Sequence, residues 1–164
     1  LIAASVAADC EQRAAALGKA LDTDLVEPMT LGFIDYGRNA SGMDFARANA
    51  TVQEIAVKLA GFMTDYDVIL SPTIGTLPLE IGAISLTPTT DFETWGRVAS
   101  TFAAFTGVYN GTGQPSMSVP LGMSAGGLPV GVMFTARYAE EALLFRLAAQ
   151  LEQAAPWAGR RAPA

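Results

Sequence analysis

The sequence predicts an α/β fold in which a few mixed or antiparallel strands are flanked by helices. Helical and strand-like segments alternate along the 164 residues, in the order helix, helix, strand, helix, strand, strand, helix. Hydrophobic residues make up 51% of the chain and charged residues 16%, which is enough apolar material for one core. Because three strands make only a thin sheet with poorly protected edges, we expect the sheet to be incomplete within this chain.

The first part of the chain predicts two helices. Residues 1–17 suit an amphipathic helix that ends at Gly18, and residues 19–40 are predicted to be irregular. The clearest helix follows in "SGMDFARANATVQEIAVKLAGFMTDYD", where Ser41 and Asp44 have the spacing of a capping box. Its apolar residues recur on one face, namely Val52, Ile55, Leu59, Phe62 and Tyr66.

The middle of the chain predicts one strand and one helix. "DVILSPT" is a β-branched run that predicts a buried strand stopped by Pro72. Residues 74–90 form a long loop, after which Thr90 and Glu93 offer a second capping box. The helix that follows has an apolar stripe, which we interpret as core, made of Phe92, Trp95, Val98, Ala99, Phe102 and Phe105.

The last part predicts two strands and a helix. "SMSVPLG" and "LPVGVMFTAR" are strand-like and are joined by "MSAGG", so we expect an antiparallel pair. Pro120 predicts that the first of them is interrupted or lies at an edge. "AEEALLFRLAAQLEQAAPW" predicts a helix that Pro156 ends, with Leu143, Leu144, Leu147 and Leu151 facing inward.

Composition excludes several classes of protein. The net charge of −6 and the scattered arginines argue against a nucleic-acid partner. No apolar run approaches the ~20 residues of a spanning helix, so no membrane partner is expected. Cys10 is the only cysteine, which indicates a reducing compartment and hence the cytoplasm. Its helical spacing with Ile2 and Val6 predicts a buried structural thiol rather than a nucleophile.

The absence of histidine narrows the chemistry further. It removes Ser-His-Asp and Cys-His mechanisms from this chain, together with most zinc and non-haem iron sites. We therefore expect no metal and no other cofactor. Asp65 and Asp67 could serve as acid, base or metal ligands, but helix-to-strand turns more often carry such residues as caps and solubilising charges. Lys58 has no serine at a suggestive spacing and is predicted to be a surface residue.

The stretch "VYNGTGQPSMSVPLG", residues 108–122, has the least ordinary composition of the chain. It lacks both G-x-G-x-x-G and the G-K-[ST] ending, and a strand rather than a helix follows it, so a phosphate-binding loop is disfavoured. Turn chemistry is the better interpretation, with Asn110, Gly111 and Gly113 supplying positive φ. That interpretation accounts less well for the number of polar side chains, which need partners if buried.

From Asp67 to its end the chain resembles the C-terminal portion of amidase-signature hydrolases. The matching pieces are "YDVILSPT", "FTGVYNGTGQPSMSVPLG", "GLPVGVMFTAR" and "EEALLFRLAAQLEQAAPW", in that order. The combination of N-x-T-G-x-P-x-x-S-V-P with G-L-P-V-G-V is the most specific part. The pieces look most like the branch that contains 6-aminohexanoate-cyclic-dimer hydrolase and related bacterial amidases.

The resemblance implies hydrolysis of a linear or cyclic carboxylic amide through an acyl-enzyme, by a Ser–Ser–Lys triad. In that family the triad and its Gly/Ser-rich signature lie in an N-terminal part that nothing here matches, so no residue of this chain is expected to be catalytic. Residues 1–164 are expected to be a single segment, the C-terminal part of a larger amidase domain, that supplies core strands and part of the substrate-pocket wall. The wall candidates are Thr73, Ile74, Trp95, Tyr109, Asn110 and Gln114.

The resemblance also sets expectations about partners. The substrate is expected to be a small-molecule amide, bound together with the N-terminal part of the enzyme. Alone, the chain is expected to be inactive and to associate with itself through its open sheet edge and apolar surface. The alternative is a non-catalytic binding or assembly module on the same scaffold.

Overall fold

The computed structural model describes residues 1–83 and 92–160 and divides the chain into two compact units. The first unit consists of Leu1–Val52 and Ile81–Ala99, and the second of Gln53–Glu80 and Ser100–Ala164. The helices of the described part are α1 (Ile2–Leu17), α2 (Pro28–Arg38), α3 (Gly42–Phe62), α4 (Phe92–Phe102), α5 (Gly107–Thr112) and α6 (Glu141–Ala154). Its strands are β1 (Val68–Pro72), β2 (Ser116–Met123) and β3 (Pro129–Ala136).

Helix α1 ends as the sequence predicts. Gly18 adopts a left-handed conformation with a φ of 62°, which closes the helix at little steric cost. The buried residues of α1 are Ala3, Ala7 and Ala14. Cys10 is only half-buried, so the predicted burial of its thiol is wrong. Cys10 falls on the same helical row as these alanines, three residues after Ala7 and four before Ala14, and is nevertheless partly exposed.

Residues 19–40, predicted to be irregular, contain helix α2. Pro28 stands in its first turn, where the missing N–H costs nothing because that group has no intrahelical acceptor. The prediction was wrong because packing outweighs the low helix propensity of glycine here. Met29, Ile34 and Gly37 are all buried, so the burial of one face stabilises α2.

Helices α1 and α2 pack closely within the first unit. A Cβ atom placed on Gly37 would lie 2.1 Å from the carbonyl oxygen of Ala3, so the two backbones are in direct contact at this point. Arg38 Nε donates to Glu11 Oε1 at 2.7 Å across the same pair of helices. The close backbone contact requires glycine at position 37, whereas the exposed ion pair contributes little to the folding stability.

The predicted capping box at the start of α3 is confirmed. The backbone N–H of Asp44 donates to Ser41 Oγ at 3.1 Å, and the backbone N–H of Ser41 donates to Asp44 Oδ2 at 3.2 Å. The Ser41 hydroxyl also donates to that carboxylate at 2.7 Å. These hydrogen bonds, the hydroxyl first, hold the pKa of Asp44 below its ordinary value because they favour the charged form.

Replacing Ser41 with alanine is expected to raise the pKa of Asp44 toward its ordinary value, because the carboxylate loses its hydroxyl donor. A depressed pKa in the folded state means that the cap stabilises the helix above the carboxyl's ordinary pKa. This stabilisation is lost as the pH falls through the depressed value. An NMR titration of the Asp44 side-chain carbon in both proteins measures the change. Equal Asp44 pKa values would show that the serine has no part in the cap.

The apolar face predicted for α3 is largely open. No residue of this helix is buried, and Phe62 remains 53% exposed. Tyr66 lies beyond the end of the helix, where its ring stacks on that of Phe62 with centroids 4.8 Å apart. The periodicity therefore predicted the helix correctly, while its face has few partners within the described residues.

The three strands form one antiparallel sheet in the order β1-β3-β2. The predicted pairing of the last two strands is confirmed, and Gly127 turns the chain between them with a φ of 80°. Pro120 lies on the edge strand β2, where the register shifts between Val119 and Gly122, as its position predicted. Arg160 donates to the carbonyl of Pro120 at 2.9 Å, which satisfies the backbone at this irregularity.

Strand β1 is present as predicted but is not buried. Leu70 is 65% exposed, because β1 is the other edge of the sheet and pairs with β3 alone among the described strands. The prediction of a buried strand was therefore wrong within this chain. An apolar, β-branched run predicts a strand, but its burial depends on what covers it.

The two faces of the sheet differ in chemistry. One face is apolar, since Val119, Phe134 and Ala136 form a buried cluster with Leu144 of α6. The predicted inward residues of α6 pack here, and the helix ends before Pro156 as expected. The other face is rich in hydroxyl groups because strand residues alternate. By register it carries Ile69, Ser71, Ser116, Ser118, Met133 and Thr135, with Thr73 continuing beyond β1.

The remaining segments depart from prediction in part. The predicted apolar stripe is not core where its side chains are described, since Trp95, Ala99 and Phe102 are half-buried and Val98 and Phe105 are exposed. The capping box at Thr90 lies outside the described residues. Helix α5 was missed: Asn110 and Gly111 are helical, and only Gly113 has the predicted positive φ, at 82°. Residues 74–83 contain no helix or strand. None of the described helices is both long and apolar enough to cross a bilayer.

Candidate functional site

The second unit contains a cavity of about 290 Å³ beside the hydroxyl-rich face of its sheet. Four of the predicted wall residues line it, namely Thr73, Tyr109, Asn110 and Gln114. The others are Thr106, Ser116, Met117, Ser118 and Met133. The cavity thus brings together residues from the loop after β1, from α5 and from the two strands β2 and β3.

The sheet side of this cavity is organised by paired hydroxyls. Thr73 Oγ1 and Ser118 Oγ lie 2.6 Å apart, and Ser116 Oγ and Thr135 Oγ1 lie 2.8 Å apart. Thr73 is held in register because its N–H donates to the carbonyl of Gly131 at 3.1 Å. Each hydroxyl can both donate and accept, so the pairs satisfy one another and retain capacity for a ligand.

The opposite side comes from α5 and the turn that follows it. Tyr109 and Asn110 lie in the helix, and Gly113 then turns the chain with positive φ, after which Gln114 precedes β2. Gln114 is only 7% exposed, and its side-chain oxygen accepts a hydrogen bond from Thr112. This hydrogen bond orients the carboxamide of Gln114. It also satisfies the side-chain oxygen, which a buried polar group requires.

The cavity is lined by neutral groups. Its lining residues, all within the described part of the chain, are serines, threonines, a tyrosine, an asparagine, a glutamine and two methionines, and none carries a carboxylate, an ammonium or a guanidinium. Such a surface stabilises an uncharged group that both donates and accepts hydrogen bonds, whereas a charged group would lose hydration without gaining a counter-ion. Within residues 1–83 and 92–160 no group of three or more cysteine or carboxylate side chains is placed to hold a metal ion.

The remaining two wall candidates are not part of this cavity. Ile74 is half-buried but does not line it. Trp95 belongs to the first unit, where a separate cavity of about 300 Å³ is lined by Val6, Glu27, Met29, Thr30, Phe33 and Trp95. The structure therefore groups four of the candidates around one cavity, whose lining includes neither Ile74 nor Trp95.

A larger hollow of about 560 Å³ lies in the first unit but is a weaker candidate. It is bounded by Thr23, Asp24, Leu25, Val26, Glu27, Pro28 and Thr30, a single run of neighbouring residues. A binding site usually converges polar groups from separate segments, as the cavity of the second unit does. The larger volume of this hollow does not by itself make it the better candidate for a binding site.

Asp67, the acidic residue directly before β1, has a structural role. Arg137 donates to Asp67 Oδ1 at 3.3 Å and to the backbone carbonyls of Tyr66 and Met63 at 3.3 and 3.4 Å. Arg137, the residue that follows β3, thereby stabilises the turn between α3 and β1. This arrangement favours the interpretation of Asp67 as a turn residue over an acid, base or metal ligand. Lys58 is exposed, as predicted.

Sequence reasoning missed several residues that line the cavity. Ser116 and Ser118 alternate with Met117 and Val119, and this period-two pattern places both hydroxyls on one face of a strand. The pattern is visible in the sequence, but these residues were interpreted only as the start of a core strand. Met133 gives no comparable signal, since its position at the cavity depends on the register between β2 and β3.

Comparison with known proteins connects the chain to amide hydrolases. The family described as Amidase matches residues 4–145. A putative amidase AmiC from Mycobacterium leprae is 38% identical over 143 residues, a match that covers 87% of this chain and 30% of the relative. The 6-aminohexanoate-cyclic-dimer hydrolase of Paenarthrobacter ureafaciens is 34% identical over 164 residues, covering 96% of this chain and 33% of the relative.

A solved structure supports the same relationship. The structure of a 6-aminohexanoate cyclic dimer hydrolase superimposes with a TM-score of 0.85 at 32% identity, covering 97% of this chain and 34% of that chain. The chain therefore spans about a third of the length of the relatives it matches. Its α/β architecture, with an open three-stranded sheet, corresponds to part of the larger fold.

Proposed function

This chain belongs to the amidase family, and from that premise we propose that the complete protein hydrolyses carboxylic amides. In this proposal the chain supplies core strands and one wall of the substrate pocket. The observation that carries it is the neutral, hydrogen-bonding cavity of the second unit, which includes Thr73, Tyr109, Asn110 and Gln114. An amide group offers one strong acceptor and one or two donors, and the lining residues complement both.

We place the catalytic groups outside this wall. The family resemblance implies a serine nucleophile whose proton passes to a lysine through a second serine. The two lysines of this sequence, Lys19 and Lys58, are exposed and neither lines the cavity. In the proposal the triad belongs to the rest of the complete protein and acts on an amide that this wall orients, and this chain alone is inactive.

The substrate is proposed to be a linear or cyclic amide without charge near the scissile bond. One relative is named a 6-aminohexanoate-cyclic-dimer hydrolase and another an acylamidase from Rhodococcus erythropolis, which is 36% identical over 143 residues. Both names refer to uncharged amide bonds. The absence of charged side chains among the lining residues of the cavity agrees with such a group.

Replacing Asn110 with alanine in the complete protein tests the proposal. Asn110 lines the cavity, so we expect KM for a neutral amide such as hexanamide to rise roughly three- to tenfold, the effect of losing one neutral hydrogen bond. Steady-state hydrolysis of hexanamide and of a cyclic amide such as ε-caprolactam is the measurement. Asn49→Ala, at an exposed position of α3, is the matched control.

The outcomes separate the two functions under consideration. Hydrolysis with a raised KM in Asn110→Ala, and an unchanged KM in Asn49→Ala, supports the amidase and its wall. Kinetics that stay unchanged for both amides remove Asn110 from the pocket. Binding of amides without any turnover by the wild-type complete protein indicates the alternative, a non-catalytic binding module.

A further inference from the structure

The two hydroxyls of Thr73 and Ser118 meet above a strand that separates them. Thr73 follows β1 and Ser118 lies in β2, while β3 runs between these strands. Neighbouring strands are about 4.8 Å apart, so the two backbones are separated by about 10 Å. Their hydroxyl oxygens are nevertheless 2.6 Å apart. The side chains must therefore reach toward each other across the middle strand.

Gly131 makes this contact possible. It lies in β3 beneath the hydroxyl pair, and a Cβ atom there would lie 2.7 Å from Thr73 Oγ1, 3.1 Å from Thr73 Cβ and 3.0 Å from Ser118 Oγ. Any residue with a side chain would occupy the space in which the two oxygens meet. A glycine inside a strand costs stability, so its presence at this position needs a reason of this kind.

We propose that the Thr73–Ser118 pair is the hydrogen-bonding contact of this wall for the substrate's amide group, and that Gly131 is the positioning residue that lets the pair form. The proposal rests on the proposed function. Both residues line the cavity. Their mutual hydrogen bond uses one O–H group, so one O–H donor and free lone pairs remain side by side. A carbonyl oxygen can accept from the first, and an amide N–H can donate to the second.

A purely structural brace between β1 and β2 would have the same geometry. The two roles differ in what they affect: a brace contributes to folding stability, whereas a ligand contact contributes to affinity. The experiment must therefore measure both quantities on the same variants. Thr73→Val keeps the shape of the side chain and removes its hydroxyl, and Ser118→Ala removes the other.

Binding of hexane-1-sulfonamide, an amide analogue that a serine nucleophile does not hydrolyse, provides the affinity readout. In the complete protein we expect Thr73→Val and Ser118→Ala each to raise its Kd, measured by calorimetry, roughly three- to tenfold. Thr51→Val is the matched control, since that exposed hydroxyl of α3 donates to the carbonyl of Arg47 and lies away from the cavity lining. Kd values within twofold of the wild type for both cavity variants would overturn the proposal.

Gly131 is tested in two backgrounds. In the wild type, Gly131→Ala should raise the Kd by at least the same factor and lower Tm, because its methyl displaces both hydroxyls. In a Thr73→Ala, Ser118→Ala protein, whose hydroxyls are gone, adding Gly131→Ala should leave Kd nearly unchanged and lower Tm less than in the wild type, because only the 3.1 Å contact with the Cβ of residue 73 remains. An equal loss of Tm in both backgrounds would show that the glycine serves packing alone and would overturn its positioning role.

This experiment is distinguishable from the test of the proposed function. Turnover of hexanamide by the wild-type complete protein tests whether it is an amidase. The ratio of sulfonamide Kd values between variant and wild type tests the hydroxyl pair, and it needs no turnover. A protein that hydrolyses hexanamide yet shows unchanged Kd ratios would retain its proposed function and lose this inference.

Discussion

Replacing Leu144 with alanine is expected to lower the free energy of unfolding by about 2–5 kcal/mol. The Leu144 side chain is 4% exposed and fills the contact between α6 and the apolar face of the sheet, where it packs with Val119, Phe134 and Ala136. Truncation to alanine removes buried methyl groups and leaves a cavity that these strand residues cannot fully close. Urea unfolding followed by circular dichroism measures the loss.

Phe145→Ala is the control for this prediction. Phe145 is the next residue of α6 and is 75% exposed, so its truncation should change the free energy of unfolding by less than about 0.5 kcal/mol within this chain. Equal losses for the two variants would contradict the packing of α6 described above. They would indicate that the helix faces the sheet with another side.

Replacing Gly37 with alanine is expected to destabilise the first unit by about 3 kcal/mol, the upper part of the range for overpacked sites. The added Cβ atom would lie 2.1 Å from the carbonyl oxygen of Ala3, and the obstacle is backbone rather than a flexible side chain. Helices α1 and α2 would therefore have to separate, which loses the burial of Met29 and Ile34. Thermal unfolding of the variant measures the effect as a lower Tm.

Gly61→Ala provides the matched control, since it makes the same change in another helix. Nothing lies within 4 Å of a Cβ atom on Gly61, and alanine has the higher helix propensity. Its stability should rise by up to about 1 kcal/mol. A Gly37→Ala protein that unfolds at the wild-type temperature would refute the close contact between α1 and α2.

Local pattern was sufficient to predict the elements whose partners lie near them in the sequence. The leucines of α6 and the strand pair joined at Gly127 follow from periodicity and turn chemistry alone. Helix α2 was missed because its proline and glycines argue against a helix locally, and only burial against α1 explains it. Strand β1 was predicted correctly, while its exposure depends on partners that local pattern does not specify.

In the candidate site, too, some features could be predicted from the local sequence and others depend on contacts between distant segments. Asn110 and Gln114 were proposed as wall residues from their position in the sequence, and both line the cavity. The meeting of Thr73 with Ser118 over Gly131 was not predictable. This contact depends on the strand order β1-β3-β2 and on the register of both strand pairs. It joins two residues that are 45 positions apart in the sequence.

We propose that the cavity of the second unit binds the amide group of the substrate. A crystal structure of the complete protein with hexane-1-sulfonamide is the decisive experiment. We expect the sulfonamide group to lie in this cavity, within hydrogen-bonding distance of Thr73 or Ser118 and near Asn110 and Gln114. A sulfonamide bound at the proposed catalytic serine with no contact to any of these residues would contradict it.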